Sequence, residues 1–310
     1  MLNIADIPKI KKAWSSLKPD EVLGRLSYEN NLLHATKGHK LLNGWYYYGW
    51  ANYCMWSPIF LEDTSRDPME FFKENPEITH CSHYQDIHSI SHKPSEKKSK
   101  YATFLYTNSE ENLSLNGKEY AKFRQALNYM KDNKITIEQY SENKPVDLAI
   151  VLEVKCLIDS WKTHKKENIK EKVNYEPFEV ISNLYDYGTS LEYLTTIIRY
   201  DGVIIHYETS ERIHPNYIII SDLKPNVSLP KEVATKFGYV NRLNHYTHLV
   251  HWHNKYIEQG YDKSFPIYYN IGDDDWVSYK SSLKPSHIVS TINKKVGKPP
   301  VKKSLSNQLF

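Results

Sequence analysis

A chain of 310 residues has the length of two ordinary domains or one large one, and with 40% hydrophobic and 25% charged residues it has enough apolar material for a core, which excludes a disordered protein. Forty basic against 37 acidic residues leave a net charge of +3, too little for a dedicated nucleic-acid module, so any nucleic-acid site must be a local patch. Only 11 glycines are present, and neither G-x-x-x-x-G-K-[ST] nor G-x-G-x-x-G occurs, which argues against P-loop nucleotide hydrolysis and dinucleotide redox chemistry.

Residues 1–14 contain no apolar signal region, and no run reaches the roughly 20 apolar residues needed to cross a bilayer, so a cytoplasmic protein without a membrane span is expected. Cys54, Cys81 and Cys156 form no C-x-x-C pair, which suits a reducing compartment without disulfides. Residues 44–56 (GWYYYGWANYCMW) are an aromatic block that reads either as a buried strand and turn or as a pocket wall. A short helix is expected over 67–74, closed by Pro76. The basic, polar stretch 92–100 reads as a linker and sets a boundary near residue 100.

The second half is more regular. Residues 116–131 place Tyr120, Phe123, Leu127 and Met130 at helical spacing, with Lys118, Lys122, Arg124 and Lys131 mostly elsewhere around the turn. A strand over 135–140, a helix over 146–164 and a short helix over 177–185 follow. Two β-rich runs, 191–199 and 203–207, flank Asp201-Gly202, a pair that tolerates the positive φ of a tight hairpin turn. A third strand is expected over 217–221, and then a long helix over 231–259 that buries Val233, Phe237, Val240, Thr247, Val250 and Ile257. A strand over 266–271, an acidic turn, a short helix and a run over 287–292 complete the order. The lysine-rich end from 291 onward reads as a frayed tail.

Cys81, His83, His88 and His92 lie close together but lack the second paired ligand set of a zinc site. His245, His248 and His251 are one helical turn apart without a carboxylate at the matching turn. Surface or loop histidines are the preferred reading of the first group, and no metal is expected at either. No G-x-S-x-G elbow and no cysteine in a recognisable setting supports covalent catalysis. The densest polar cluster is Tyr268-Tyr269-Asn270-Ile271-Gly272-Asp273-Asp274-Asp275 at a strand end, followed by Lys280 and Pro285. Loops at strand ends commonly carry function, although an aspartate there also makes an ordinary helix cap.

Two motifs carry a family resemblance. Leu115, Gly117, Lys118, Tyr120, Lys122, Arg124 and Asn128 match L-x-G-K-x-Y-x-K-x-R followed by N, and Tyr268, Asn270, Asp273, Asp274, Lys280, Ser282 and Pro285 match Y-x-N-x-x-D-D followed by K-x-S-x-x-P. Both patterns resemble the C-terminal domain of phosphatidylglycerol lysyltransferases, which shares its fold with the Fem aminoacyltransferases. That resemblance implies an α+β, GNAT-like mixed sheet flanked by helices, in a tandem of two such units. Ile271 and Gly272 stand where the family often has Arg and Glu, Gln125-Ala126 replace its Asn-His, and no pyrophosphate-binding turn precedes residue 231.

The expected organisation is an aromatic-rich N-terminal unit (1–99), a catalytic unit (100–292) and a basic flexible tail (293–310). The implied activity is acyl or aminoacyl transfer from a thioester or an aminoacyl-tRNA to an amine or hydroxyl, with no bound cofactor and with acyl-CoA or charged tRNA as donor substrate. Asp273 or Asp274 would be the base or amine anchor, Asn270 or Tyr269 a hydrogen-bond donor, and Lys280 a charge partner. Lys118, Lys122, Arg124 and Asn128 would form an anion-binding face. Two alternatives stay open: a transferase that acylates a modified base in DNA or RNA, and a non-catalytic module that keeps the fold alone. The acceptor is thus a small molecule or a nucleic acid, and the oligomeric state is open.

Overall fold

The computed structural model describes residues 3–18, 22, 32–33, 38–50, 53–56, 58–78, 80–91, 102–129, 131, 134–164, 178–229, 240–261, 268–270, 283 and 287–296. In chain order these give α1 (Ile7–Ser16), β1 (His39–Leu42), β2 (Trp45–Trp50), β3 (Tyr53–Trp56), β4 (Ile59–Phe60), α2 (Pro68–Glu74), β5 (His80–Ser91) and β6 (Ala102–Thr107). There follow α3 (Glu110–Ser114), α4 (Ala121–Tyr129), β7 (Ile135–Ser141), α5 (Leu148–His164), α6 (Glu179–Tyr187), β8 (Tyr193–Tyr200), β9 (Val203–His214) and β10 (Tyr217–Pro225). Helix α7 (Val240–Glu258), β11 (Tyr268–Asn270) and β12 (His287–Val296) complete the described chain.

The strands form one mixed sheet in the order β1-β2-β3-β5-β12-β6-β11-β10-β9-β8-β7, with β4 beside β2. Neighbours β7 to β10 are antiparallel, whereas β11 runs parallel to β10. A parallel neighbour needs a crossover, and the segment that contains α7 makes it.

Alternation along each strand sorts the core into two faces. On β10, Tyr217 and Ile219 join a cluster with Val154 and Ile158 of α5, Ile181 of α6 and Ile10 and Trp14 of α1. Ile218 and Ile220 point the other way, into a cluster with Phe123 of α4 and Leu249, Trp252 and Tyr256 of α7. A period of two in the strands therefore places helices on both faces. The aromatic block obeys the same rule. Tyr46 and Tyr48 enter the large core, while Trp45 and Tyr47 pack with Phe71 and Phe72 of α2, so residues 45–48 of the block are buried strand.

Local chemistry explains the boundaries. Asp67 caps α2 by accepting from the Met69 amide at 2.9 Å, and Pro68 stands at its first position. Asp201 (φ 51°) and Gly202 (φ 81°) form the β8–β9 turn as expected. A Cβ on Gly202 would meet nothing within 4 Å, so the backbone conformation alone calls for glycine there. Asn43 (φ 51°) and Gly44 (φ 80°) make an equivalent turn between β1 and β2.

Three expectations are corrected. Val240 is buried on α7, but Thr247, Val250 and Ile257 are only half-buried, and the inward face instead carries Asn244, His245, His248, Leu249, Trp252 and Tyr256. Polar partners on β8 and β9 select that face, which apolar periodicity cannot register. Val233 and Phe237 lie outside the described residues, as does the expected linker 92–100. Second, the expected tail is strand as far as Val296, because β12 pairs with β5 and β6 through its backbone and needs no apolar pattern. Third, Cys81, His83 and His88 lie within strand β5 and not in a loop.

Candidate functional site

Strand β11 carries Tyr269 and Asn270 through the middle of the sheet. Tyr269 is opposite Ile218 of β10 and Tyr106 of β6, and Asn270 is opposite Ile219 and Leu105. Asp273, Asp274 and Lys280 lie outside the described residues. Leu283, within the second motif, is buried in one cluster with Leu115, Tyr120 and Phe123 of the first. The two motifs, about 150 residues apart in sequence, thus share a hydrophobic cluster beside β6 and β10.

The first motif divides by burial. Leu115 and Tyr120 are core residues, and the Tyr120 hydroxyl donates to Asn112 Oδ1 at 2.6 Å, while Asn112 donates to the Thr107 carbonyl at 2.8 Å. That relay fixes α4 against the end of β6. Lys118, Lys122, Arg124 and Asn128 are exposed. Arg124 turns its guanidinium onto the chain and donates to the Leu115 carbonyl at 2.5 Å and the Gly117 carbonyl at 2.7 Å. This holds a bend in which Leu115 (φ 53°) and Gly117 (φ 96°) are both left-handed. Lys118 and Lys122 remain as outward cations of that face.

Behind the sheet's α7 side runs a buried chain of hydrogen bonds whose direction is set by its chemistry. The Trp252 indole N–H donates to Ser210 Oγ at 2.9 Å, and Ser210 meets His248 Nδ1 at 2.7 Å. His248 Nε2 lies 3.0 Å from Thr196 Oγ1, Thr196 donates to Asn244, and Asn244 Nδ2 lies 2.7 Å from His206 Nδ1. Because Thr196 gives its proton to Asn244, its oxygen accepts from His248 Nε2–H, and Nδ1 of the neutral ring is left to accept from Ser210. Burial pushes His248 well below the usual imidazole range, with neighbouring histidines adding to the effect. It also takes His206 and His245 down to about 3. Ser210 and His248 have the spacing of a nucleophile and its base, but both are at 0% exposure, so no substrate reaches them. They lock α7 to β8 and β9.

An open cleft of about 430 Å³ lies between α4, the end of β7 and α7. Glu142, Asn143, His251, Lys255 and Glu258 are on its walls. Lys255 Nζ pairs with Glu142 Oε1 and lies 4.0 Å from Glu192, which Arg212 grips with its Nε at 2.6 Å and a second nitrogen. Glu142 Oε2 and His251 Nε2 are buried and have no hydrogen-bond partner among the described residues. Burial, and then Lys255, bring His251 down to about 4, so the ring is neutral at pH 7. Sequence reasoning missed Glu142, Lys255 and Glu258. It noticed His251, whose i,i+3 spacing from His248 was the available signal. Among the described residues no group of three or more metal-ligating side chains occurs, and no helix is long and apolar enough to cross a membrane.

No family and no curated protein matches the chain at the sequence level. Its fold, an α+β mixed sheet flanked by helices, is shared with solved structures. A conserved protein of unknown function from Bacteroides thetaiotaomicron is similar over 94% of this chain and 98% of that chain, with 12% identity and a TM-score of 0.56. The C-terminal domain of a protein from Agrobacterium fabrum, described as a lysylphosphatidylglycerol synthetase, is similar over 94% of this chain and 92% of that chain, at 14% identity and a TM-score of 0.56. L-PGS from Bacillus licheniformis is similar over 83% of this chain and 82% of that chain, at 13% identity and a TM-score of 0.53.

Proposed function

We propose that this chain is an acyl- or aminoacyltransferase that moves an acyl group directly from a thioester or an aminoacyl-tRNA to an amine or hydroxyl acceptor. The observation that carries this reading is the burial of Leu283 against Tyr120 and Phe123, which joins the two motifs that resemble the lysyltransferase family. A fold shared along nearly the whole chain with a domain described as a lysylphosphatidylglycerol synthetase supports it.

The chemistry follows from the residue types. The acceptor's lone pair attacks the donor carbonyl carbon, and the acceptor's proton passes to Asp273 or Asp274. The bond to sulfur or to the ribose oxygen then breaks, and the leaving atom takes a proton back. Asn270 or Tyr269 donates to the developing oxyanion, Lys280 is the charge partner of the aspartates, and Lys118 and Lys122 meet the donor's phosphates. In this reading Arg124 shapes the anion-binding face from behind, and Asn128 extends it. Residues 1–99 form a first GNAT-like unit and 100–292 the catalytic one, built onto one sheet with a common core.

The test is steady-state transfer by Asp273→Asn, Asp274→Asn, Cys54→Ala, Cys81→Ala and Cys156→Ala. Loss of a general base costs roughly 100-fold to 10,000-fold in rate, so at least one aspartate variant should fall by that factor while the cysteine variants keep their activity. Full activity in both aspartate variants would leave the acidic turn as a helix cap.

A further inference from the structure

We infer that the cleft between α4, β7 and α7 is a binding site for the primary ammonium group of a small organic amine. The inference concerns binding alone and stands whether or not the chain transfers acyl groups.

The cleft carries an excess of negative charge. The ionic side chains on the walls are Glu142, Glu258 and Lys255. Lys255 is committed to Glu142 Oε1 and is drawn toward Glu192, so it offers an incoming anion little. Glu258 is exposed and has no ion-pair partner among the described residues. With His251 neutral, one carboxylate is uncompensated.

The cleft walls also hold hydrogen-bond acceptors that lack a donor among the described residues. Glu142 Oε2 and His251 Nε2 belong to opposite walls, the end of β7 and helix α7, and both are buried without a partner among the described residues. A carboxylate oxygen only accepts, and a neutral imidazole nitrogen accepts in one tautomer, so what these walls lack is a donor. An ammonium brings three donors and no acceptor, together with the charge that the cleft lacks. A carboxylate or phosphate would bring acceptors toward acceptors. Leu127 and Val250 supply apolar wall for a short methylene stem, and about 430 Å³ is room enough for one.

The experiment is isothermal titration of the full chain at pH 7.5 with cadaverine (1,5-diaminopentane), 1,5-pentanediol and glutarate. Cadaverine should bind, and the diol and the diacid, which match its length, should bind at least about 10-fold more weakly or not at all. Glu142→Gln keeps the shape and removes the charge, and Glu258→Gln does the same at an exposed position where folding is not at risk. Each should weaken cadaverine binding about 10-fold or more. If Glu142→Gln fails to fold, Glu258→Gln decides alone. No binding of cadaverine at millimolar concentration, equal binding of the diol, or undiminished binding by the folded variants would overturn the assignment.

Discussion

Glu211 on β9 offers a test of how the N-terminal segment is held to the second half. Its side chain is 1% exposed, and Oε2 accepts from the Leu33 amide at 3.3 Å. The same segment is gripped by Asn183, which donates to the Leu33 carbonyl at 2.8 Å, and by Tyr187, which donates to the Leu32 carbonyl at 2.8 Å. Burial pushes the Glu211 carboxyl up to about 8 from 4.5, against the pull of the Leu33 and Leu32 amides and of Lys11. A raised carboxyl keeps its proton in the folded chain while the unfolded chain has lost it. Between about pH 4.5 and 8 the folded state therefore binds more protons, and stability falls as pH rises. Each pH unit in that window costs about 1.4 kcal/mol, so the loss from pH 5 to pH 8 is about 3 to 4 kcal/mol. Glu211→Gln keeps an oxygen acceptor and cannot ionise. Urea denaturation of both proteins at pH 5, 6, 7 and 8 should show the variant gaining on the parent by that amount across the series. Taking the difference removes the opposing contribution of the buried histidines, which weaken the fold as pH falls below about 6.5. A difference that stays flat with pH would refute the protonated, buried carboxyl.

His248→Ala should destabilise the chain by about 3 kcal/mol in chemical denaturation, because it strands the Ser210 and Thr196 hydroxyls and opens a cavity under α7. A loss below about 1 kcal/mol would contradict the network. Arg124→Ala should cost about 1 kcal/mol and speed amide exchange around Leu115–Gly117, since one guanidinium nitrogen supplies the bonds to both carbonyls. Unchanged exchange there would remove its role in holding the bend.

Much of the second half could be read from the chain because its elements announce themselves locally. Apolar spacing marks α4 and α5, and Asp201-Gly202 marks the hairpin through its positive φ. The Asn43-Gly44 turn carries the same signal, yet the aromatic block around it drew attention to packing and left β1 unassigned. Strand β5, and β12 beyond residue 292, were illegible for a different reason. They lie side by side in a wide sheet and are rich in His, Ser, Lys and Asn, so neither shows apolar alternation. Helix α7 was seen but turned wrongly, because its inward face is chosen by Asn244 and His248 meeting Thr196, Ser210 and His206. The cleft at Glu142, His251 and Lys255 joins residues more than 100 positions apart, a juxtaposition that only the fold creates.

Single-turnover transfer followed by intact-protein mass measurement separates direct transfer from passage through an acyl-enzyme. The full chain would be mixed with a radiolabelled acyl or aminoacyl donor, as thioester or charged tRNA, and with amine and hydroxyl acceptors. With direct transfer, label appears on an acceptor at the rate at which it leaves the donor, and the protein never carries it. Label trapped on a serine or cysteine, or no transfer from either donor class to either acceptor class, would contradict direct transfer.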